Sequence, residues 1–335
     1  NDTINATDLF TKSRLANSKG AKAVLFYSPQ VYPMFAKYYG KNSGRISLKD
    51  DAKKGNSMYY FYINSSVAKA LSSTIDEDVA SKIIKTSVNF TYKGISKPLS
   101  SENVVAFMKG SEKPEEILVI SAHLDHEGVK NGKVYNGADD DGSGTVAMLE
   151  IAEAFQLAVK AGKGPKRSIL FLHVTGEEKG LLGSKYYTDV EPIFPLENTV
   201  CDLNIDMIGR TDSRHKADPN YVYLIGSDKL STELHTISEA MNKKYTNINL
   251  DYKYNDENDP NRFYYRSDHY NFVKNNVPII FYFNGTHVDY HKPTDTPDKI
   301  NYELLENRTK LVFHTAWEVA NKETRIIADK AQAKK

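Results

Sequence analysis

Four apolar, β-branched runs constrain the fold of this chain more than any other feature. They span residues 117–121, 169–174, 200–205 and 277–283. Each run has the length and composition of a strand that is buried on both faces of a sheet. Helical patterns alternate with these runs, over residues 143–158, 229–244 and 302–321. The alternation predicts an α/β fold in which helices flank a mixed, mostly parallel central sheet.

The first hundred residues follow a different pattern. They predict a helix, two strands and a second helix, over residues 7–19, 21–28, 58–63 and 66–73. The intervening stretch, residues 39–56, is rich in Lys, Gly, Ser and Asp and predicts a loop. We therefore expect a small N-terminal α/β segment over residues 1–98 and the main domain over residues 99–335.

Polar segments follow the predicted strands and carry residues that bind metals. The five segments are HLDH at 123–126, GADDDGSG at 137–144, GEEKGLLGS at 176–184, NIDMIG at 204–209 and DYHKPTDT at 289–296. Open α/β sheets place their ligands beyond the carboxyl ends of the strands, where most of these segments lie. The segments are therefore expected to meet in one site.

The residue types favour a two-metal hydrolytic site. Two metal ions can share a carboxylate, hold a water between them and polarise a carbonyl group. Cys201 is the single cysteine, so a thiolate site is excluded. Taken alone, the run Asp139–Gly142 is also typical of a solvated turn or a calcium loop, and an isolated Glu-Glu pair is usually surface charge. The joint occurrence of the five segments favours the metal site.

At these residues the chain resembles the aminopeptidase Y family of dinuclear zinc metallopeptidases, which includes bacterial leucyl-type aminopeptidases and glutamate carboxypeptidase II. The resemblance extends over residues 101–322, with the five motifs in the order of the family. It implies the zinc-exopeptidase sandwich fold and two zinc ions per chain. It also implies a catalytic domain over residues 99–335.

The resemblance assigns a ligand set to each zinc ion. The first ion is expected to bind His123, Asp140 and Asp206, and the second Asp140, Glu178 and His291. Asp140 is then the bridging ligand. Family members often have a cis peptide after this aspartate, so we predict one between Asp140 and Asp141.

Three further residues match catalytic positions of the family. Glu177 is expected to be the general base, and the Asp125 carboxylate is expected to orient the ring of His123. Tyr290 matches a tyrosine that donates a hydrogen bond to the oxyanion in some members. His126, His287 and the segment around His269 match no ligand position and are expected at the rim or behind the ligands.

Two other residues are expected to shape the ligand loops. Ser143 is a candidate N-cap for the helix that follows Asp140. Asp295 is expected to brace the His291 loop by accepting hydrogen bonds from that loop's own backbone.

The resemblance implies an exopeptidase that removes N-terminal amino acids from peptides. A carboxypeptidase or dipeptidase on the same scaffold stays open, and Arg210, Arg262 and Arg266 are candidates to bind the carboxylate of its substrate. A single-zinc glutaminyl cyclase-like enzyme is disfavoured because both sets of terminal ligands are present. A non-catalytic, receptor-like binding protein is the alternative of another class.

Composition limits the partners of the chain. With 44 basic and 43 acidic residues, the formal net charge of +1 offers no field that would attract nucleic acid. The apolar run at 277–283 is too short to span a membrane. Peptide substrates are therefore the expected partners, while the oligomeric state is not indicated.

Localisation and the N-terminal segment rest on weaker patterns. Sequons at Asn64, Asn89 and Asn284, together with the export of many relatives, favour a secreted or periplasmic protein whose leader has been removed. Residues 1–98 resemble the latter part of a protease-associated domain, and an ordinary N-terminal α/β extension stays open.

Overall fold

Two compact units make up the chain, Asn1–Leu99 and Ser100–Lys335. The computed structural model describes residues 6–40, 46–49, 58–91 and 95–331. Most of the loop predicted over residues 39–56 therefore lies outside the described residues.

The first unit contains a pair of parallel strands accompanied by helices. Its elements are α1 (Ala6–Ser18), β1 (Ala23–Tyr27), α2 (Tyr32–Tyr39), β2 (Tyr59–Ile63) and α3 (Ser65–Leu71). Strands β1 and β2 pair in parallel. The Asn64 side chain caps α3 by accepting a hydrogen bond from Val67 N. The two strands and the helices α1 and α3 confirm the sequence prediction, whereas α2 was not predicted.

The second unit is built around a seven-stranded sheet. Its strands are β3 (Val104–Met108), β4 (Lys113–His123), β7 (Arg167–Val174), β8 (Thr199–Ile205), β9 (Tyr221–Ile225), β10 (Asn249–Asp251) and β11 (Ile279–Phe283). The short hairpin β5–β6 (Gly128–Lys130 and Lys133–Tyr135) lies outside this sheet. The spatial order is β10-β9-β11-β8-β4-β7-β3. Strands β11, β8, β4 and β7 are all parallel neighbours, which confirms the mixed, mostly parallel sheet.

Helices cover both faces of this sheet. They are α4 (Gly142–Lys160), α5 (Leu182–Asp189), α6 (Thr232–Met241), α7 (His269–Val273) and α8 (Tyr302–Asn321). Alternate residues of β4 enter two different cores. Leu118 packs in the core that contains residues of α4 and α8, whereas Val119 packs with Tyr187 of α5 and Phe272 of α7. This alternation follows from the two-residue period of a strand and explains the continuous apolar runs.

The predicted central strands all form, with ends that differ from the prediction by a few residues. Strand β9 was not predicted, although all five of its residues are buried. Among the described residues, no helix has the length and apolar character needed to cross a membrane.

Candidate metal centre

The predicted ligands meet at the carboxyl ends of the parallel strands. His123 ends β4, Asp206 follows β8, and Glu177 and Glu178 lie in a 3₁₀ turn after β7. His291 lies in the loop after β11, and Asp140 precedes α4. Four of these residues border one cleft, the metal-site cleft, whose walls are Asp140, Glu177, Asp206, Met207, Phe263, Arg266, Phe281, Phe283, Tyr290 and His291.

Asp140 lies between two sets of potential ligands. Its Oδ1 is 3.3 Å from His123 Nε2, and its Oδ2 is 3.0 Å from His291 Nε2. On the first side, Asp206 Oδ1 is 3.7 Å from His123 Nε2. On the second, Glu178 Oε2 is 3.3 Å from His291 Nε2. The structure thus brings all five predicted ligands together, with a different oxygen of Asp140 near each of the two histidines.

Several buried polar atoms at this point have no hydrogen-bond partner among the described residues. They are His123 Nε2, His126 Nδ1 and Nε2, Asp140 Oδ2 and Glu178 Oε1. Buried nitrogen and oxygen atoms without partners are costly, because their desolvation is not compensated. Metal ions would compensate it, and imidazole with carboxylate is a donor set that zinc accepts. The residues present therefore fit a metal.

Electrostatics support the same conclusion. Burial disfavours the charged ring of His291, but the neighbouring carboxylates of Asp140 and Glu178 outweigh burial and raise its pKa to about 10. Burial likewise opposes the charge on His123, yet Asp140 and Asp206 hold its pKa well above the usual value. Burial also opposes the charge on Glu178, whose pKa is nonetheless lowered to about 2 by His126 and His291. The site strongly favours positive charge between its carboxylates, which is the property of a cation site.

The three consecutive aspartates have separate tasks. Asp139 Oδ1 accepts a hydrogen bond from Gly209 N, and Asp140 faces the ligands. Asp141 is the N-cap of α4 and accepts from Gly144 N. The peptide bond between Asp140 and Asp141 is cis, as predicted.

The prediction that Ser143 caps α4 was wrong. Ser143 lies inside the first turn, where its hydroxyl donates to Asp139 O and accepts from Ile208 N. Asp141 takes the cap because the chain enters the helix directly after it. Its carboxylate also accepts from His123 N and Met207 N, so it connects the segments that carry His123 and Asp206. Although Asp141 lies close to both of these ligands, its oxygens already accept three backbone hydrogen bonds, and we assign it a structural role.

Asp295 also differs from its prediction. Its carboxylate accepts hydrogen bonds from the backbone N–H groups of Asp139 and Asp140, at 3.0 and 3.3 Å, rather than from its own loop. Its backbone carbonyl accepts from Ala138 N. Asp295 is fully buried. It therefore joins the His291 loop to the backbone that presents the bridging aspartate.

Asp125 contacts His123 through a different atom from the one predicted. The backbone carbonyl of Asp125 lies 2.9 Å from His123 Nδ1, whereas its carboxylate is 4.0 Å away and outside hydrogen-bond reach. The carboxylate instead accepts from Glu177 N and Glu178 N. Asp125 thus positions two predicted ligands and the predicted base.

A serine and an aspartate behind the cleft were not identified individually from the sequence. Ser267 donates to Asp206 Oδ2 at 2.7 Å and so orients that carboxylate. Asp268 is fully buried, and burial raises its pKa to about 7. The Nε2 atom of His269 lies 2.9 Å from Tyr264 O, and its ring stacks on that of Phe281. Burial lowers the pKa of His269 to about 3, as for a neutral core histidine.

Two residues directly after the HLD motif also reach the site. His126 Nδ1 is 2.9 Å from Glu178 Oε1, and Glu127 Oε1 is 3.6 Å from His291 Nδ1. His287, expected at the rim or behind the ligands, lies with its Nε2 3.1 Å from Asp139 Oδ2. Little in the sequence indicated that His126 and Glu127 reach the ligands, because a pair of titratable residues beside a ligand motif is common in loops.

The metal-site cleft contains the predicted base Glu177 and the predicted oxyanion donor Tyr290 beside apolar side chains, which are Met207, Phe263, Phe281 and Phe283. Burial raises the pKa of Glu177 well above its usual value. The ring of Tyr290 stacks on that of His291, with centroids 4.0 Å apart. Met207 and His291 both have positive φ, at 59° and 53°. Non-glycine residues rarely adopt this conformation, and those that do concentrate at functional sites.

Comparison with known proteins agrees with the resemblance that the sequence motifs indicated. A model of Peptidase family M28 matches residues 103–316. The chain is 28% identical over 235 residues to leupeptin-inactivating enzyme 1 of Streptomyces exfoliatus. This alignment covers 64% of the chain and 48% of the enzyme. It is 33% identical over 119 residues to a probable glutamate carboxypeptidase of Arabidopsis thaliana, over 36% of this chain and 16% of that protein. The chain spans less than half the length of both relatives.

The fold is also similar to that of a solved enzyme. The zinc aminopeptidase BSAP from Bacillus subtilis superimposes with a TM-score of 0.52 and 24% identity, over 68% of this chain and 53% of that one. At this identity the similarity shows the fold alone.

Proposed function

Because the chain belongs to Peptidase family M28, we propose that it is a dinuclear zinc exopeptidase that removes N-terminal amino acids from peptides. One observation supports this proposal above the others. Asp140 directs its two oxygens to two separate histidine–carboxylate sets, at 3.3 Å from His123 and 3.0 Å from His291. A carboxylate between two such sets is suited to bridge two metal ions.

The ligand sets follow from these contacts. His123, Asp140 and Asp206 would hold one ion, and Asp140, Glu178 and His291 the other. One imidazole and two carboxylates for each ion are donors that fit zinc. The similar Bacillus subtilis enzyme is also a zinc aminopeptidase. Two zinc ions at this site would supply a water of lowered pKa and would polarise the scissile carbonyl.

Glu177 is the group that moves protons. It borders the cleft together with Asp140 and Asp206, and burial raises the pKa of its carboxyl, which is the direction expected of a general base. It takes a proton from the attacking water and returns it to the leaving amine. Asp125 holds Glu177 in place through the backbone N–H. The Tyr290 hydroxyl donates a hydrogen bond to the developing oxyanion, a contribution of about 2–4 kcal/mol for such donors.

A carboxypeptidase or dipeptidase activity is the second candidate, and Arg266 favours it. Of the three candidate arginines, Arg210 pairs with Asp289 at 2.8 Å, and Arg262 stacks on the ring of Tyr265. Arg266 borders the metal-site cleft, where its guanidinium makes long contacts with Tyr290 Oη at 3.4 Å and Asn261 O at 3.5 Å. A guanidinium in this position can bind the terminal carboxylate of a short peptide.

Metal content and substrate blocking test these proposals together. We expect about two zinc ions per chain by mass spectrometry of the purified protein. The substrates would be one dipeptide with both ends free, its N-acetylated form and its C-amidated form. Turnover that requires the free amine identifies an aminopeptidase, and turnover that requires the free carboxylate identifies a carboxypeptidase. Zinc-free protein without turnover would contradict the enzyme proposal.

Two pairs of variants refine the assignment. Glu177→Gln should retain both zinc ions and lose about 10²- to 10⁴-fold in kcat, whereas the exposed Glu150→Gln on α4 should be unchanged. Arg266→Met should raise KM for the free-carboxylate dipeptide and leave KM for the amide unchanged. Arg262→Met is its matched control. Equal effects on both substrates would contradict a carboxylate-binding role for Arg266.

Export remains a prediction from the sequence, and the structure indicates which of the three sequons could carry a glycan. Asn284 is buried, and its side-chain amide donates to Tyr221 O, so this sequon cannot accept a glycan. Asn64 and Asn89 are exposed. Secretion through a glycosylating pathway would therefore modify these two asparagines, which glycopeptide mass spectrometry would detect.

A further inference from the structure

His126 has a buried side chain that the proposed ligand sets do not use. Its side chain is 8% exposed, although it lies in a loop between β4 and the β5–β6 hairpin. Neither of its ring nitrogens has a hydrogen-bond partner among the described residues. A neutral imidazole always has one N–H and one lone pair to satisfy, so burial without any partner is unfavourable. The contact of Nδ1 with Glu178 compensates this burial only when the ring is protonated, whereas a cation bound at Nδ1 would compensate the neutral ring.

The position of Nδ1 indicates what that partner is. Nδ1 lies 2.9 Å from Glu178 Oε1 and 3.8 Å from Asp140 Oδ2. Donor atoms that bind one zinc ion at about 2.0–2.2 Å are separated from each other by about 3–4 Å. Nδ1 and Glu178 Oε1 form an ion pair when the ring is protonated, but their geometry is not that of a hydrogen bond. His123 Nε2, a predicted ligand, shows the same combination of burial and missing partner.

Neighbouring residues pack against the ring of His126 on two sides. A Cβ atom at Gly137 would lie 2.6 Å from His126 Cγ, so the absence of a side chain at Gly137 leaves space for the ring. On the other side, the rings of His126 and His291 meet edge to face, with centroids 5.7 Å apart. Because a ligand held in place before binding loses little entropy, this packing suits a metal-binding side chain.

We propose that His126 binds metal through Nδ1 and is a third histidine ligand of the site, on the ion held by Asp140, Glu178 and His291. The inference rests on the proposed dinuclear site and goes beyond its five ligands. It makes the two ion positions chemically unequal, since one would have two imidazoles and the other a single one. Additional imidazole favours zinc over manganese or magnesium, which prefer oxygen donors.

Nuclear magnetic resonance with cadmium tests the proposal on the native chain. The protein would be labelled with ¹⁵N-histidine and loaded with two equivalents of ¹¹³Cd²⁺, which replaces zinc. Each histidine nitrogen that binds cadmium shows a one-bond coupling to ¹¹³Cd. We expect coupling at His123 Nε2, His291 Nε2 and His126 Nδ1, and the signal lost in His126→Ala identifies the third. Coupling at His123 and His291 alone would overturn this inference and leave the proposed function intact, whereas no coupling at all would refute both.

Zinc affinity supplies an independent measurement. His126→Ala should lower the affinity for one of the two zinc equivalents by more than 100-fold, measured by competition with a chromophoric chelator. Loss of a residue that merely orients a ligand costs about 10- to 100-fold, so a smaller loss contradicts direct binding. His235→Ala is the control, because His235 bonds Ser227 Oγ away from the site. Melting of the metal-free variants shows whether each one folds, and His126→Asn replaces an alanine variant that does not.

Discussion

Asp141→Ala tests how far the metal site and the stability of the fold depend on one carboxylate. Asp141 is 3% exposed and accepts three backbone hydrogen bonds. The donors are Gly144 N at 2.9 Å, Met207 N at 3.1 Å and His123 N at 3.2 Å. These donors belong to the start of α4, the segment after β8 and the end of β4. Alanine would leave all three N–H groups without a partner.

The loss of unfolding free energy in Asp141→Ala can be worked out from these contacts. Loss of the N-cap bond to Gly144 costs about 1 kcal/mol. The N–H groups of His123 and Met207 are buried, and each one left unsatisfied costs about 1–3 kcal/mol. The free energy of unfolding should therefore fall by about 3–7 kcal/mol. Asp141→Asn keeps the oxygen that serves Gly144 and Met207 and loses the bond to His123, so it should cost about 1–3 kcal/mol.

Urea unfolding of metal-free protein measures both values. The matched control is Asn301→Ala at the start of α8, where the exposed cap side chain accepts one hydrogen bond, from Leu304 N. That variant should lose about 1 kcal/mol. If Asp141→Ala costs no more than Asn301→Ala, then the bonds to His123 and Met207 contribute nothing and the reasoning is refuted. If the variant folds, we also expect weaker zinc binding, because the segments of His123 and Asp206 are no longer connected.

Three further predictions concern other buried polar contacts. Burial opposes the charge on Asp212, but hydrogen bonds, led by the one from Tyr223, hold the pKa of this carboxyl below its usual value. The ionised carboxylate therefore stabilises the fold at pH values above the unfolded-state pKa of about 4. This stabilisation is lost as the pH falls through the lower pKa of the folded state. Asp212→Asn should therefore lower the urea midpoint at pH 7, and the difference from the native protein should vanish at acidic pH; a constant difference would contradict this. Ser267→Ala should weaken zinc binding about 10- to 100-fold by releasing Asp206, measured by chelator competition, and unchanged affinity would show that the hydrogen bond is unimportant. Arg308→Met should lower the free energy of unfolding by at least about 3 kcal/mol, since the buried guanidinium donates to four backbone carbonyls; a loss below 1 kcal/mol in urea unfolding would refute it.

The architecture was largely determined by local sequence pattern. Central strands such as β4 and β8 are buried on both faces, so their apolar runs are continuous and visible in the sequence. The 20-residue α8 was predicted at its observed ends, because its apolar positions repeat with the helical period. Strand β9 escaped prediction because Tyr221 and Tyr223 place phenol rings in the core, a composition that is equally common on surfaces.

The chemistry of the site divides in the same way. The sequence by itself determined which residue types meet, since His123, Asp140 and Glu178 stand in recognisable motifs beside strand ends. Only the tertiary structure decided which atoms are used. Asp125 contacts His123 through its carbonyl, Asp295 bonds the backbone of another loop, and His126 turns inward beside Glu178. Motif spacing constrains positions along one chain segment, whereas side-chain direction depends on packing between segments that are distant in sequence, which no local pattern encodes.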